Sequence, residues 1–178
     1  MQKEGKIMST YKNSMKSISE RIIPNHFQTT EPMLILGEPG IGQTAIVLQS
    51  IRELLEEAYT PNNVEQFYTV IDGSRMQCES LVVPYIDKKS VEPLQQALIP
   101  ELKKAKAFFD DKENNGKKFI IVIDELSALA QDEQRMMMKI IQSGLLPDGT
   151  LLDNDRLLVV SMGNASLLIP ELKSYFLI

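Results

Sequence analysis

The sequence predicts an α/β protein of three layers, with a central, mainly parallel sheet flanked by helices. Two observations carry this expectation. Four short apolar runs, MLILG (33–37), FYTVI (67–71), FIIVI (119–123) and LLVVS (157–161), are bounded by polar or Gly/Pro segments, as strands buried on both faces are. Segments with helical spacing separate them, and strands that alternate with helices pair in parallel.

Taken in order, residues 1–16 are polar and are expected to be frayed, and SISERIIPNHFQTTEP reads as a short helix ending near Pro24, followed by a turn. Together they set residues 1–30 apart as an N-terminal segment, with one core over 31–178. After MLILG and a Gly/Pro turn, Val47, Ile51, Leu54, Leu55 and Ala58 keep helical spacing from Gly42 to Ala58, with charges on the other side. Beyond FYTVI lies a long stretch holding Pro84, Pro93 and Pro100. Pro100 suits the first turn of a helix over about 100–110, where its missing N–H has no partner anyway. A further helix spans about 132–143 and stops at Gly144.

The bulk composition excludes several classes. The chain has 178 residues, 43% hydrophobic and 24% charged, which suits one soluble domain with a single core. With a net charge of −5 and no dense Lys/Arg block, no nucleic-acid or membrane partner is expected. A single cysteine, Cys78, excludes an intrachain disulfide and a cysteine-built zinc site, and a reducing, cytoplasmic setting fits best. The N-terminus lacks the apolar stretch of a signal peptide, and no run reaches the roughly 20 apolar residues of a membrane span.

Three motifs carry chemistry. The first is GEPGIGQT, joining a strand to a helix N-terminus. Such a loop turns backbone N–H groups and the positive end of the helix dipole inward, and together they bind phosphate. Gly37, Gly40 and Gly42 permit the tight path. The spacing GxxxxG-K-[ST] is met except at Gln43, where lysine is usual, and Thr44 stands where a magnesium-binding hydroxyl belongs. The second is the acidic pair Asp124-Glu125, delivered by FIIVI to the carboxyl end of a strand, the edge where α/β sheets bind ligands. Asp124 is suited to hold hydrated magnesium and Glu125 to polarise an attacking water. An acidic pair after a strand is weak alone, because helix caps look similar. The third is Asn164, a neutral amide just past LLVVSMG, suited to positioning a water or touching a terminal phosphate.

Other features read blandly. His26, the only histidine, follows a Pro-Asn turn and reads as a surface residue. Met136, Met137 and Met138 read as helix packing, 110–118 as a solvated loop, and Cys78 as structural.

In this order, GEPGIGQT, FIIVIDEL and SMGN resemble the Walker A, Walker B and sensor 1 motifs of AAA+ ATPases, most closely the MoxR-like branch. DGSRMQCESLVVPYID and LLPDGTLLDNDRLLVVSMGN are similar to further segments of that branch. The resemblance implies a P-loop NTPase fold, ATP or ADP with Mg2+ as cofactors, and other AAA+ subunits or protein clients as partners. It implies nucleotide contacts along the loop, Gly37, Glu38, Pro39, Gly40, Ile41, Gly42, Gln43, Thr44 and Ala45, metal ligation by Thr44 and Asp124, and catalytic roles for Glu125 and Asn164. Two departures bear on activity. Gln43 replaces the Walker A lysine, and Tyr175 precedes Phe176 where the family carries an arginine finger. The helical lid expected to follow the core is not found before Ile178. Three readings therefore stand: a nucleotide-binding core with impaired hydrolysis, a competent ATPase helped from elsewhere, and a scaffold that binds no nucleotide.

Overall fold

The computed structural model describes residues 6–9, 14–37, 42–76, 81–92 and 94–176. Five strands form one parallel sheet: β1 (Lys6–Ser9), β2 (Met33–Leu36), β3 (Tyr68–Asp72), β6 (Phe119–Asp124) and β7 (Leu157–Gly163), in the order β1-β2-β7-β6-β3. Two more, β4 (Val82–Ile86) and β5 (Leu94–Leu98), make a separate antiparallel hairpin. The helices are α1 (Ser14–Ser17), α2 (Ile23–Thr29), α3 (Gln43–Tyr59), α4 (Pro100–Asp110), α5 (Gln131–Ser143) and α6 (Pro170–Phe176).

The central strands are parallel because each pair is joined through a helix, and right-handed crossovers then put α3 on one face and α4 and α5 on the other. Burial on both faces explains why β6 and β7 read as unbroken apolar runs: Phe119 through Ile123 are each 0% exposed. Val47, Ile51 and Leu55 turn the matching stripe of α3 inward. Truncating one such side chain, as in Ile121→Ala, removes about 2–5 kcal/mol of stability.

Helix ends follow local chemistry. α3 stops where Thr60 turns left-handed (φ 41°) and donates its N–H to Glu56 O at 2.9 Å. α5 stops at Gly144 (φ 72°), whose N–H bonds Ile140 O at 2.9 Å.

Several expectations are corrected. Lys6–Ser9, expected to be frayed, pair in parallel with Met33–Leu36 as an edge strand. The first helix does not end near Pro24. Ile18–Ile22 form a π-helical turn in which Ile23 N–H bonds Ile18 O, and Pro24 sits in the first turn of α2, where its missing N–H is not needed. The segment ends at Thr30 (φ 55°), and its residues Ile18, Ile23 and Phe27 join the single core. His26 is buried, 4% exposed, with Nδ1 against Glu31 O at 2.6 Å, so it is an internal tie rather than a surface residue. The proline-bearing stretch holds β4 and β5. Only the base of this hairpin is buried, and Tyr85, Ile86 and Leu94 remain exposed. Within 110–118, Lys118 is half-buried, and its Nζ donates to the α2 carbonyls of Phe27 (2.6 Å) and Gln28 (2.7 Å). The methionine run behaves as expected: Met137 is in the core, with Met136 and Met138 against it. Cys78 lies outside the described residues.

Candidate functional site

The strand order sets the location. β2 has β7 as its neighbour, although the chain leaves β2 through α3 toward β3 at the far side of the sheet. Such a reversal opens a crevice at the carboxyl ends of the strands, where α/β sheets take ligands. Gly37, Asp72, Asp124 and Gly163 all stand at or just past those ends.

From β2 the chain enters the glycine-rich loop. Gly37 N–H bonds Gly163 O at 3.4 Å, tying the exits of β2 and β7 together. Glu38, Pro39, Gly40 and Ile41 lie outside the described residues. Gly42 carries φ 74°, a backbone state that glycine adopts without strain, and starts α3 by accepting the N–H of Ile46 at 3.3 Å. Gln43 and Thr44 open α3 with half-buried side chains, and Ala45 is exposed. Thr44 Oγ1 donates to Asp124 Oδ1 at 3.0 Å, so the loop's hydroxyl and the acidic strand end meet across 80 residues of sequence. Gln43 Nε2 is buried from solvent without a hydrogen-bond partner among the described residues.

The acidic edge is crowded. Asp72 at the end of β3 is registered opposite Asp124. Gly73 N–H donates to Asp124 O at 2.8 Å, and a Cβ on Gly73 would lie 2.3 Å from Glu125 O. Glu125 is left-handed (φ 52°, ψ 50°), a costly state for a side chain with a Cβ. Burial raises its proton affinity above the ordinary carboxylate value, and the negative charges of Asp124 and Asp72 add to the effect. On the other flank, Ser127 Oγ accepts the backbone N–H of Asn164 at 2.9 Å. Asn164 itself is exposed; its Oδ1 accepts from Ser166 N (3.0 Å) and Oγ (2.8 Å), which leaves the carboxamide NH2 to donate to a ligand.

Of the sequence-predicted residues that are described, Thr44 and Asp124 touch, Glu125 follows in the chain, and Asn164 is joined to the same turn through Ser127. Asp72, Gly73 and Ser127 were not singled out as site residues. Asp72-Gly73 ends an expected strand, as Asp124 does, and that parallel was the available signal; nothing in the spacing of Ser127 marks it.

A parallel sheet in which α3 begins against an acidic strand end, behind a glycine-rich turn, defines a phosphate-binding domain of the P-loop NTPase fold. More narrowly, the chain belongs to the AAA family: the profile of the ATPase family associated with various cellular activities matches residues 33–176. Family membership implies a nucleotide ligand. No curated protein matches the sequence. Among solved structures, NtrX from Brucella abortus matches with a TM-score of 0.51 at 12% identity, over 96% of this chain and 37% of that one. The Aeropyrum pernix ORC2 protein, solved as ADPNP-ADP complexes, matches with a TM-score of 0.51 at 15% identity, over 92% of this chain and 45% of that one. At such identities the likeness shows the fold alone. The chain spans less than half the length of either structure. Among the described residues no helix is long and apolar enough to cross a membrane.

The residues present fit a nucleotide with Mg2+. A buried amide nitrogen, without a partner among the described residues, stands at the helix N-terminus, next in the chain to a hydroxyl that already contacts a carboxylate.

Proposed function

We propose that this chain is a MoxR-like AAA+ core that binds ATP or ADP with Mg2+ and hydrolyses ATP weakly. The observation that carries the reading is the 3.0 Å hydrogen bond from Thr44 Oγ1 to Asp124 Oδ1, which joins the loop helix to the acidic strand end. In this reading the loop from Gly37 to Ala45 holds the phosphates through backbone N–H groups and the helix dipole. Thr44 and Asp124 would hold Mg2+, which supplies positive charge to the phosphates. Glu125 takes a proton from an attacking water at its carboxylate, and its raised proton affinity suits a general base. Asn164 orients that water through its NH2 group. Gln43 contributes a neutral donor where the chemistry calls for a cation, so binding survives and charge stabilisation in the transition state is lost. Other AAA+ subunits or protein clients are the proposed macromolecular partners.

Titration with Mg·ADP and Mg·ATP during thermal melting tests binding. At 100 times the dissociation constant the fold gains about 2.7 kcal/mol. No shift at millimolar nucleotide refutes the reading and leaves the scaffold alternative. Brisk phosphate release by the purified chain would retain the site and refute the impaired hydrolysis.

A further inference from the structure

We propose that Gln43 makes this site selective for a nucleoside diphosphate over the corresponding triphosphate, so that the chain holds ADP rather than turning over ATP. The inference rests on the nucleotide reading above and goes one step beyond it, from which residues bind to which ligand they prefer.

The argument is one of charge at the carboxyl edge of the sheet. Three carboxylates converge there: Asp72 and Asp124 face each other in register at the ends of β3 and β6, and Glu125 follows Asp124. The charges acting on Glu125 are both negative, those of Asp124 and Asp72. Arg75, a cation at this edge, is engaged by Asp72, with Nε 3.3 Å from Oδ2. Asp72 also accepts from Ser74 N and Oγ, which hold it in place at the edge.

Into this field the helix N-terminus presents a neutral amide. Gln43 Nε2 is buried and unpaired among the described residues, a donor with its desolvation already incurred. A phosphate oxygen satisfies it. An amide can satisfy one or two such oxygens but carries no charge to offset a further phosphoryl group. On the nucleotide reading, in which Thr44 and Asp124 would hold Mg2+ against the phosphates, the triphosphate brings one more negative charge than the diphosphate to the edge that Asp124 and Glu125 occupy. With Mg2+ present for both ligands, that added charge meets carboxylates, and at position 43 an uncharged amide in place of a lysine. The diphosphate keeps the dipole at the start of α3 and the amide bond while avoiding most of the repulsion. A lysine at position 43 would reverse the balance, since its favourable interaction grows with the ligand's charge.

The test is calorimetric titration of the purified chain with ADP and with the non-hydrolysable ATP analogue ADPNP, at saturating Mg2+ and physiological salt. The expected wild-type result is ADP tighter by at least about tenfold, equivalent to about 1.4 kcal/mol. Gln43→Lys should bring the two within about threefold, mainly by tightening the triphosphate. Asp72→Asn should narrow the gap from the other side by removing a negative charge and releasing Arg75. Gln43→Ala, which needs no charge accommodated in the fold, should weaken ADP about threefold or more. Equal affinities in the wild type, or a gap unchanged by Gln43→Lys, overturn the proposal while leaving nucleotide binding intact. An ADP affinity unchanged in Gln43→Ala also overturns it, because the amide would then not touch the phosphates. If neither nucleotide binds the wild type, the nucleotide reading itself falls, and this proposal with it.

Discussion

Gly73 is the glycine whose replacement should do most damage at the site, and the size of the effect follows from geometry. A Cβ on Gly73 would lie 2.3 Å from Glu125 O, 3.0 Å from Glu125 C and 3.1 Å from Asp124 O, all backbone atoms that cannot swing aside. Reaching ordinary contact, which begins at 3.4 Å, requires the exit of β3 to part from the Asp124-Glu125 turn by about an ångström. That movement weakens or breaks the 2.8 Å hydrogen bond from Gly73 N–H to Asp124 O. Overpacking of this kind costs about 1–3 kcal/mol, and the lost bond about 0.5–1.5 kcal/mol. Gly73→Ala should therefore destabilise the fold by about 2–4 kcal/mol, lowering Tm by about 5–15 °C for a chain of this size. Gly116→Ala is the control. Gly116, unlike Gly73, has a left-handed backbone (φ 76°) but faces open space, so it should lose only about 1–2 kcal/mol. Thermal unfolding followed by circular dichroism gives both numbers. If Gly73→Ala melts within 2 °C of wild type, or no lower than Gly116→Ala, the packing argument for the acidic turn is wrong.

Three further predictions concern the same edge and its supports. Gln134, 2% exposed, donates to Leu129 O and Leu167 O and accepts from Ile169 N–H, so Gln134→Leu should cost about 2–4 kcal/mol, and a urea midpoint that does not move would contradict this. Ser127→Ala leaves the Asn164 N–H without its acceptor and should cost about 1–3 kcal/mol, with faster amide exchange at Asn164; unchanged exchange would show that the hydrogen bond does not hold that segment. Glu125→Gln should change the pH profile. The folded-state pKa of Glu125 is raised above its ordinary 4.5, chiefly by burial, then by Asp124 and Asp72, so the folded chain binds the proton more tightly than the unfolded chain. Stability is then lost as pH rises through the folded value, and the amide variant should gain over wild type above that value and not below pH 4.5. The carboxylate is partly exposed, so the gain should stay under about 1 kcal/mol; a variant less stable than wild type at pH 7 would refute the sign.

What could be read from the sequence is what local pattern controls. FIIVI and LLVVS announce strands buried on both faces because a parallel sheet covered by helices leaves them no wet side. The stripe Val47-Ile51-Leu55 announces α3 because one helical face repeats every 3.6 residues. The glycine spacing before α3, the acidic pair after β6 and the asparagine after β7 were each legible as motifs and led to the family that the profile match bears out.

Tertiary structure decided the rest, because contacts between distant segments leave no periodic trace. That a side chain at position 73 would run into the carbonyl of Glu125, and that Ser127 holds Asn164, follow from strand neighbours that are remote in the chain. The same holds where local signals misled. Pro24 looked like a helix end, yet the preceding π turn leaves its absent N–H without consequence. His26 looked like a surface residue, yet α2, packed against the π turn and α3, buries it, and its ring nitrogen lies against Glu31 O. Lys6–Ser9 carry too weak a pattern to declare a strand, and only the open edge of β2 gives their backbone a partner. Sequence alone indicated β2, β3, β6 and β7, the helices α3 to α5 and the motif residues Thr44, Asp124, Glu125 and Asn164; the fold decided which of them meet, since their meeting depends on the order of strands in the sheet rather than on the order of residues in the chain.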